Sequence, residues 1–106
     1  MRNKAQEKTY VGIHNDINGG MTDTGKIIRD AWVFEFISET ETCEGWRATG
    51  IQELWEKTSK EWEKYGFLVS NLPEEIKQRF QRIQSAAINR AKTEGWDPEK
   101  DIDNEV

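Results

Sequence analysis

The sequence contains one cysteine, one histidine and no long apolar run, and each shortage excludes a class of protein. A single cysteine excludes an internal disulfide and a multi-cysteine zinc site. The lone histidine excludes a histidine-rich metal cage, so we expect no metal and no cofactor. No segment reaches the roughly 20 apolar residues that cross a bilayer, and the N-terminus MRNKAQEK lacks the apolar centre of a secretion signal. We therefore expect a cytoplasmic protein without a membrane partner.

Basic residues are also in the minority. The chain of 106 residues has a net charge of −5, which argues against nucleic-acid binding, because that binding depends on Lys and Arg displacing counterions from phosphates. The composition, 35% hydrophobic and 33% charged, is typical of one small soluble domain. We expect a flexible N-terminus over residues 1–8, a single globular domain over 9–96, and an acidic flexible tail over 97–106.

The hydrophobic pattern predicts an α+β fold that is mostly helical. β-branched and aromatic residues over 9–14, followed by Asn18-Gly19, predict a short strand and a turn. A first helix is predicted from about Thr24 to Ile37, but the aromatic alternation over 31–37 leaves a strand there as the alternative. A small two-stranded sheet would pair residues 9–14 with either 31–37 or 67–70.

Two further helices are easier to delimit. Thr49 and Gln52 form a T-x-x-Q capping box that predicts the start of the second helix, and Gly66 predicts its left-handed end. The third helix is predicted to begin near Pro73 and to stop at Gly95. The helices are expected to pack around Trp32, Trp55, Trp62, Phe80 and Ile83.

One stretch resembles a phosphate-binding loop incompletely. Gly20, Gly25 and Lys26 satisfy most of G-x-x-x-x-G-K-[ST], but Ile27 offers no oxygen for the magnesium ion that such loops bind. On a functional interpretation, these three residues bind an anion at the start of the first helix. The interpretation that we favour is a turn followed by a helix cap.

Four residues are candidates for catalysis. His14 titrates near neutral pH, and Asp16 or Asp23 could orient it as a general base, with Cys43 as a nucleophile. The alternative, which we favour, is a structural His14 at the turn and a small buried Cys43.

A loop aromatic is the best candidate for a partner contact. Trp46 has no periodic apolar partners, and Glu41 and Glu44 precede it in an acidic loop that could dock a basic partner. With no recognisable reaction centre, we expect a protein-interaction or regulatory module rather than an enzyme. Its partner would be another protein, with a second copy of the chain as the other candidate. The alternative function is a small enzyme or an anion-binding or ligand-binding protein, with a site around His14, Asp16, Asp23 and Lys26.

Overall fold

Within residues 8–97, which a computed structural model describes, three α-helices make up most of the chain. They are α1 (Asp23–Val33), α2 (Ala48–Glu63) and α3 (Glu74–Thr93). Short 3-10 turns occur at Ile13–Asn15, Ile17–Gly19 and Val69–Asn71. Helices α2 and α3 both pack against α1, so α1 is the central element of the fold.

Helix α1 is covered on all sides over its second half. Every residue from Ile28 to Val33 is buried. A helix that is buried all round has no solvent face to impose a period of 3.6, which explains why the sequence was ambiguous there. The helix predicted in preference to a strand is confirmed for residues 31–33, but it ends at Val33 rather than at Ile37.

All three helices end in the same backbone motif, in which an amide bonds to the carbonyl five residues earlier. The amides of Phe67 and Trp96 donate to the carbonyls of Trp62 and Ala91, each at 3.0 Å. Gly66 and Gly95 precede these amides with positive φ values of 63° and 98°, so both predicted terminators are confirmed.

Helix α1 ends this way without a glycine. The Phe36 amide donates to the Ala31 carbonyl at 2.8 Å, and Glu35 occupies the left-handed position with φ of 63°. Arg79 from α3 supports the same turn, since its Nη1 donates to the Val33 carbonyl at 2.8 Å and its Nη2 lies 3.7 Å from the Glu35 carboxylate.

We predict that Glu35→Gly stabilises the protein. A side chain in the left-handed conformation costs about 1 kcal/mol relative to glycine, and the Glu35 carboxylate is 73% exposed, so loss of its ion pair matters little. The control is Glu35→Ala, which removes the same carboxylate but keeps the strained backbone. Urea unfolding should give a higher free energy of unfolding for the glycine variant than for the alanine variant. Equal values would show that the turn is not strained.

The predicted strand over residues 9–14 and its two-stranded sheet are wrong. Within residues 8–97 the structure has no strand, only an isolated antiparallel bridge between Thr9 and Arg47. The Tyr10 backbone bonds to Gly45 and Trp46, each at 2.8 Å. Gly12, with φ of 96°, then turns the chain into a 3-10 turn and ends the pairing.

Neither sequence proposed as the partner strand is extended. Residues 31–33 belong to α1, while Phe67 has φ of 59° and is soon followed by the 3-10 turn Val69–Asn71. The fold is therefore mostly helical rather than α+β.

The start of α2 also differs from the prediction. The helix begins at Ala48, and the carbonyl of Arg47 accepts the amides of Gly50 and Ile51. Thr49 consequently lies inside the first turn, and the predicted capping box is wrong.

Four of the five predicted core residues pack in the interior. Trp32, Trp62 and Ile83 are buried, and Phe80 packs against the core. The rings of Trp62 and Phe80 meet edge to face at 6.0 Å between centroids, which joins α2 to α3. Trp55 was wrongly predicted to be core, since it is 47% exposed.

The predicted flexible ends, residues 1–8 and 97–106, fall outside the described residues except for Lys8 and Asp97. Their flexibility stays a prediction.

Candidate functional site

The glycine loop before α1 is held by contacts within the chain. The Thr22 side chain accepts a hydrogen bond from the Gly25 amide at 3.0 Å and so caps the helix. The Gly20 carbonyl lies against the backbone of Gly25 and accepts a hydrogen bond from Arg29 Nη1 at 2.7 Å. A carbonyl oxygen at this position repels phosphate. The anion-binding role predicted for Gly20, Gly25 and Lys26 therefore gains no support from the geometry.

Asp16 is the organising residue of the N-terminal segment. Its Oδ2 accepts hydrogen bonds from the Tyr10 hydroxyl at 2.6 Å and from Thr22 Oγ1 at 2.7 Å, and its Oδ1 accepts the Ile17 amide at 2.7 Å. Partial burial acts to raise the pKa of Asp16, but the hydrogen bonds from Thr22, Tyr10 and Ile17 outweigh it and hold that pKa below its ordinary value. Burial and then the Asp16 carboxylate raise the pKa of Tyr10. Asp16 therefore holds the segment together rather than orienting His14.

Lys26 is directed along its own helix. Its Nζ lies 2.9 Å from Asp30 Oδ2, one turn further on. The same oxygen accepts the Trp62 indole N–H at 3.1 Å, which ties α1 to α2 through a buried carboxylate. Asp23 is exposed in the first turn of α1. No hydrogen bond or ion pair among the described residues joins Lys26 or Asp23 to His14.

His14 and Cys43 lie in different environments. The His14 side chain is exposed, and its pKa is lowered by partial desolvation and then by the charge of Arg90. Cys43 is fully buried, and burial followed by the Glu41 charge raises its pKa to about 11. At neutral pH Cys43 is therefore a thiol, whereas the nucleophile is the thiolate. The catalytic role predicted for these residues gains no geometric support.

The predicted partner-binding residues separate into two groups. Glu41 shapes its own loop, since its carboxylate accepts the Cys43 amide at 3.0 Å and its carbonyl accepts the Trp32 indole N–H at 3.0 Å. Glu44 is exposed beside that loop. Trp46 lines a concave surface.

That surface is an open groove of about 550 Å³ between the N-terminal segment, α1 and α2. We call it the aromatic groove. Its large apolar lining residues are Tyr10, Ile27, Trp46, Ile51 and Trp55. Its smaller or polar lining residues are Lys8, Thr9, Thr24, Ala48 and Gln52. Among the described residues, Lys8 is the one charged residue of the lining. A surface of this composition favours an apolar ligand or partner.

Two local features position the tryptophans of the groove. Residues 48, 51, 52 and 55 recur at helical spacing and place Trp55 on the outward side of α2. The Trp46 carbonyl accepts a hydrogen bond from the Tyr10 amide at 2.8 Å, which holds the Trp46 backbone against the N-terminal segment. Gly50 lies beneath its ring, where an added Cβ would stand 3.3 Å from Trp46 Cε3. The ring can therefore rest on the backbone of α2.

Sequence reasoning singled out Trp46 as a candidate but did not place Trp55 or Ile27 on the same surface. Trp55 lies seven residues before Trp62 on the same helix, and because of that spacing both side chains were predicted to lie on one buried face. The available signal was the second stripe through Ala48 and Ile51, which also includes Trp55. Helix α2 therefore has apolar residues on two sides, and the side that carries Trp55 lies outside the core.

Across residues 8–97, no three His, Cys, Asp or Glu side chains come together as a metal site requires. None of the helices described above has the length and apolar character of a membrane span.

Comparison of the chain with protein-family models, curated proteins and solved structures gives no significant match.

Proposed function

We propose that the protein is an interaction module that binds a segment of another protein in the aromatic groove. The observation that carries this proposal is the exposure of Trp55, 47% of whose surface is accessible, beside Trp46 in an open apolar groove. Tryptophan is the residue most often found to dominate the binding energy of protein interfaces. The proposed ligand is a segment with one or two large apolar side chains that fill the space between the two rings.

The chemistry of the groove favours this function over catalysis. Its lining offers indole, phenol and aliphatic surface with hydroxyl groups from Thr9 and Thr24. Within residues 8–97 it contains no carboxylate, histidine or cysteine that could transfer a proton or attack a substrate. The net charge of −5 opposes association of two copies, which favours a different protein as the partner.

The test compares Trp55→Ala with Phe67→Ala. Phe67 is the matched control because it is also an exposed aromatic, at 60%, and lies beyond the far end of α2. Proteins captured by the wild-type chain should be retained by the Phe67 variant and lost by the Trp55 variant. We expect the Trp55 change to weaken binding by about 2 kcal/mol, or roughly 30-fold in dissociation constant.

Two accompanying measurements make the result decisive. Thermal melting should show that both variants are folded, since exposed substitutions change stability little. Sedimentation velocity of the wild type shows whether the chain self-associates. Self-association that Trp55→Ala abolishes would assign the groove to a second copy instead. Capture that is unaffected by Trp55→Ala, or lost equally in both variants, would refute the proposal.

A further inference from the structure

A second cavity, of about 190 Å³, lies where the N-terminal turns meet α1 and α3. We call it the arginine cavity. Its apolar wall consists of Ile13, Trp32, Ile83, Ala86 and Ala87. Its polar lining consists of His14, Arg29, Glu39, Arg82 and Arg90, with the backbone of Gly19. Among residues 8–97, the lining therefore contains three guanidinium groups and one carboxylate.

Arg29 is the deepest of these cations. It is only 5% exposed, and it donates hydrogen bonds to the Gly20 carbonyl at 2.7 Å and the Gln84 amide oxygen at 3.2 Å. A third, weaker hydrogen bond runs from Arg29 Nη2 to the Met21 sulfur at 3.9 Å. These partners are all uncharged. Among the described residues no carboxylate lies within ion-pair distance of Arg29, and Asp30 acts on it only at longer range. A buried cation without a direct counter-charge is costly, so the site favours an anion.

Arg90 is a second cation of the lining and lies on its exposed side. Arg82 is paired with Glu39 through two hydrogen bonds of 3.0 and 2.8 Å. Arg90 makes no ion pair of this kind among residues 8–97, although its charge contributes to lowering the pKa of His14. With Arg82 and Glu39 cancelling, the cavity retains the charges of Arg29 and Arg90.

We propose that the arginine cavity binds a small organic anion, with its carboxylate or phosphate group between Arg29 and Arg90 and a short apolar body against Trp32 and Ile83. Guanidinium groups match the oxygens of both head groups in a planar, two-pronged geometry. The volume is roughly six times the share of liquid volume that one water occupies, which suits a single small ligand. This cavity is separate from the aromatic groove. Of the residues that the sequence predicted for a functional site, its described lining includes only His14.

The test is an NMR titration of the full chain with benzoate, with phenyl phosphate and with inorganic phosphate, at constant ionic strength. Saturable shifts at the side-chain resonances of His14, Arg29 and Arg90 are expected for the organic anions. The tighter of benzoate and phenyl phosphate identifies the head group, and weaker binding of inorganic phosphate would confirm the contribution of the apolar wall. Benzamide is the uncharged control. Equal shifts with benzamide or with sodium chloride would overturn the proposal.

Matched variants locate the binding. Arg90→Gln should weaken binding about tenfold, because it removes one of two charge-assisted contacts. Lys92→Gln removes an exposed charge from the same helix outside the cavity and should leave affinity unchanged. Wild-type affinity in the Arg90 variant would overturn the site.

The experiment must also distinguish a free ligand from the acidic sequence over 98–106, which carries carboxylates of its own. In the full chain, replacement of Asp101 and Asp103 by Asn tests it. Shifts at His14 and Arg90 without any added ligand would assign the cavity to this segment and overturn the free-ligand proposal. Unchanged resonances of His14 and Arg90 in this variant would support the free-ligand proposal.

Discussion

Gly25→Ala is expected to destabilise the protein by about 3 kcal/mol or more, although alanine is ordinarily the better helix former. Gly25 lies in the first turn of α1, where replacement of glycine by alanine would otherwise gain about 1 kcal/mol. Here the added methyl group would overlap the carbonyl oxygen of Gly20 and stand 2.9 Å from its carbonyl carbon. Overlap with backbone atoms is relieved only by moving the loop, which costs more than a rotamer change.

The loop cannot move freely because Gly20 is held from two sides. Its carbonyl accepts the hydrogen bond from the buried Arg29. Its own α-carbon faces Ile13, such that a Cβ there would lie 2.6 Å from Ile13 Cγ1. A shift of Gly20 would therefore disturb both the buried guanidinium and the core.

The control is Gly45→Ala, at a glycine with φ of 84° and open space around it. That change introduces backbone strain alone and should cost about 1 kcal/mol. Urea unfolding, followed by tryptophan fluorescence and circular dichroism, gives both free energies. A Gly25 variant as stable as the wild type, or more stable, would show that the loop and helix are not in close contact.

The same residues show how far sequence reasoning reached. The favoured interpretation of Gly20 and Gly25, a turn and a helix cap, agrees with the observed geometry. The incomplete phosphate-loop pattern has a packing origin, because Gly20 needs its positive φ of 98° and Gly25 admits a neighbouring carbonyl. That contact depends on how Ile13 and Arg29 hold the loop before α1, which the spacing of the glycines alone does not encode.

The helix ends divide in a similar way. Gly66 and Gly95 were identifiable because glycine adopts the left-handed conformation without steric cost. Glu35 carries no such signal, so α1 was predicted to run to Ile37. Its turn is supported from α3 by Arg79, which bonds to the Val33 carbonyl from 46 residues away. Long-range support of this kind is not visible in a local window.

The candidate sites show a further limit. Trp46 was singled out as a candidate because it stands apart from any apolar period, whereas Trp55 was assigned to the core because its spacing matches that of Trp62. Arg29 gave no signal, since a single arginine in a predicted helix is ordinarily solvent-exposed. Burial of Arg29 and Asp30 follows only from the central position of α1 between the other helices.

Asp30→Ala should lower the free energy of unfolding by about 2 to 4 kcal/mol. Asp30 is 4% exposed, and its Oδ2 accepts the Trp62 indole N–H at 3.1 Å. Removal of the carboxylate leaves that buried donor without its partner, which costs more than the hydrogen bond itself contributes. It also removes the nearest counter-charge from the buried Arg29. Alanine favours the helix by a few tenths of a kcal/mol, so the measured loss understates the loss of these contacts.

Two comparisons separate these contributions. Lys26→Ala removes the ion-pair partner of Asp30. Because the Lys26 side chain is 64% exposed, this change should lower the free energy of unfolding by less than 1 kcal/mol. Asp30→Asn removes the charge but keeps an oxygen that can accept the Trp62 hydrogen bond. Its loss in free energy of unfolding should therefore lie between those of Lys26→Ala and Asp30→Ala.

A double-mutant cycle with Trp62→Phe tests the indole contact directly. In the Trp62→Phe background the donor is gone, so Asp30→Ala should cost about 1 to 2 kcal/mol less than in the wild type. Chemical unfolding of the four proteins gives this coupling energy. Additive effects would show that the hydrogen bond does not join α1 to α2, and the stability of the helix pair would then rest on the apolar contacts around Trp62, chiefly with Phe34 and Phe80.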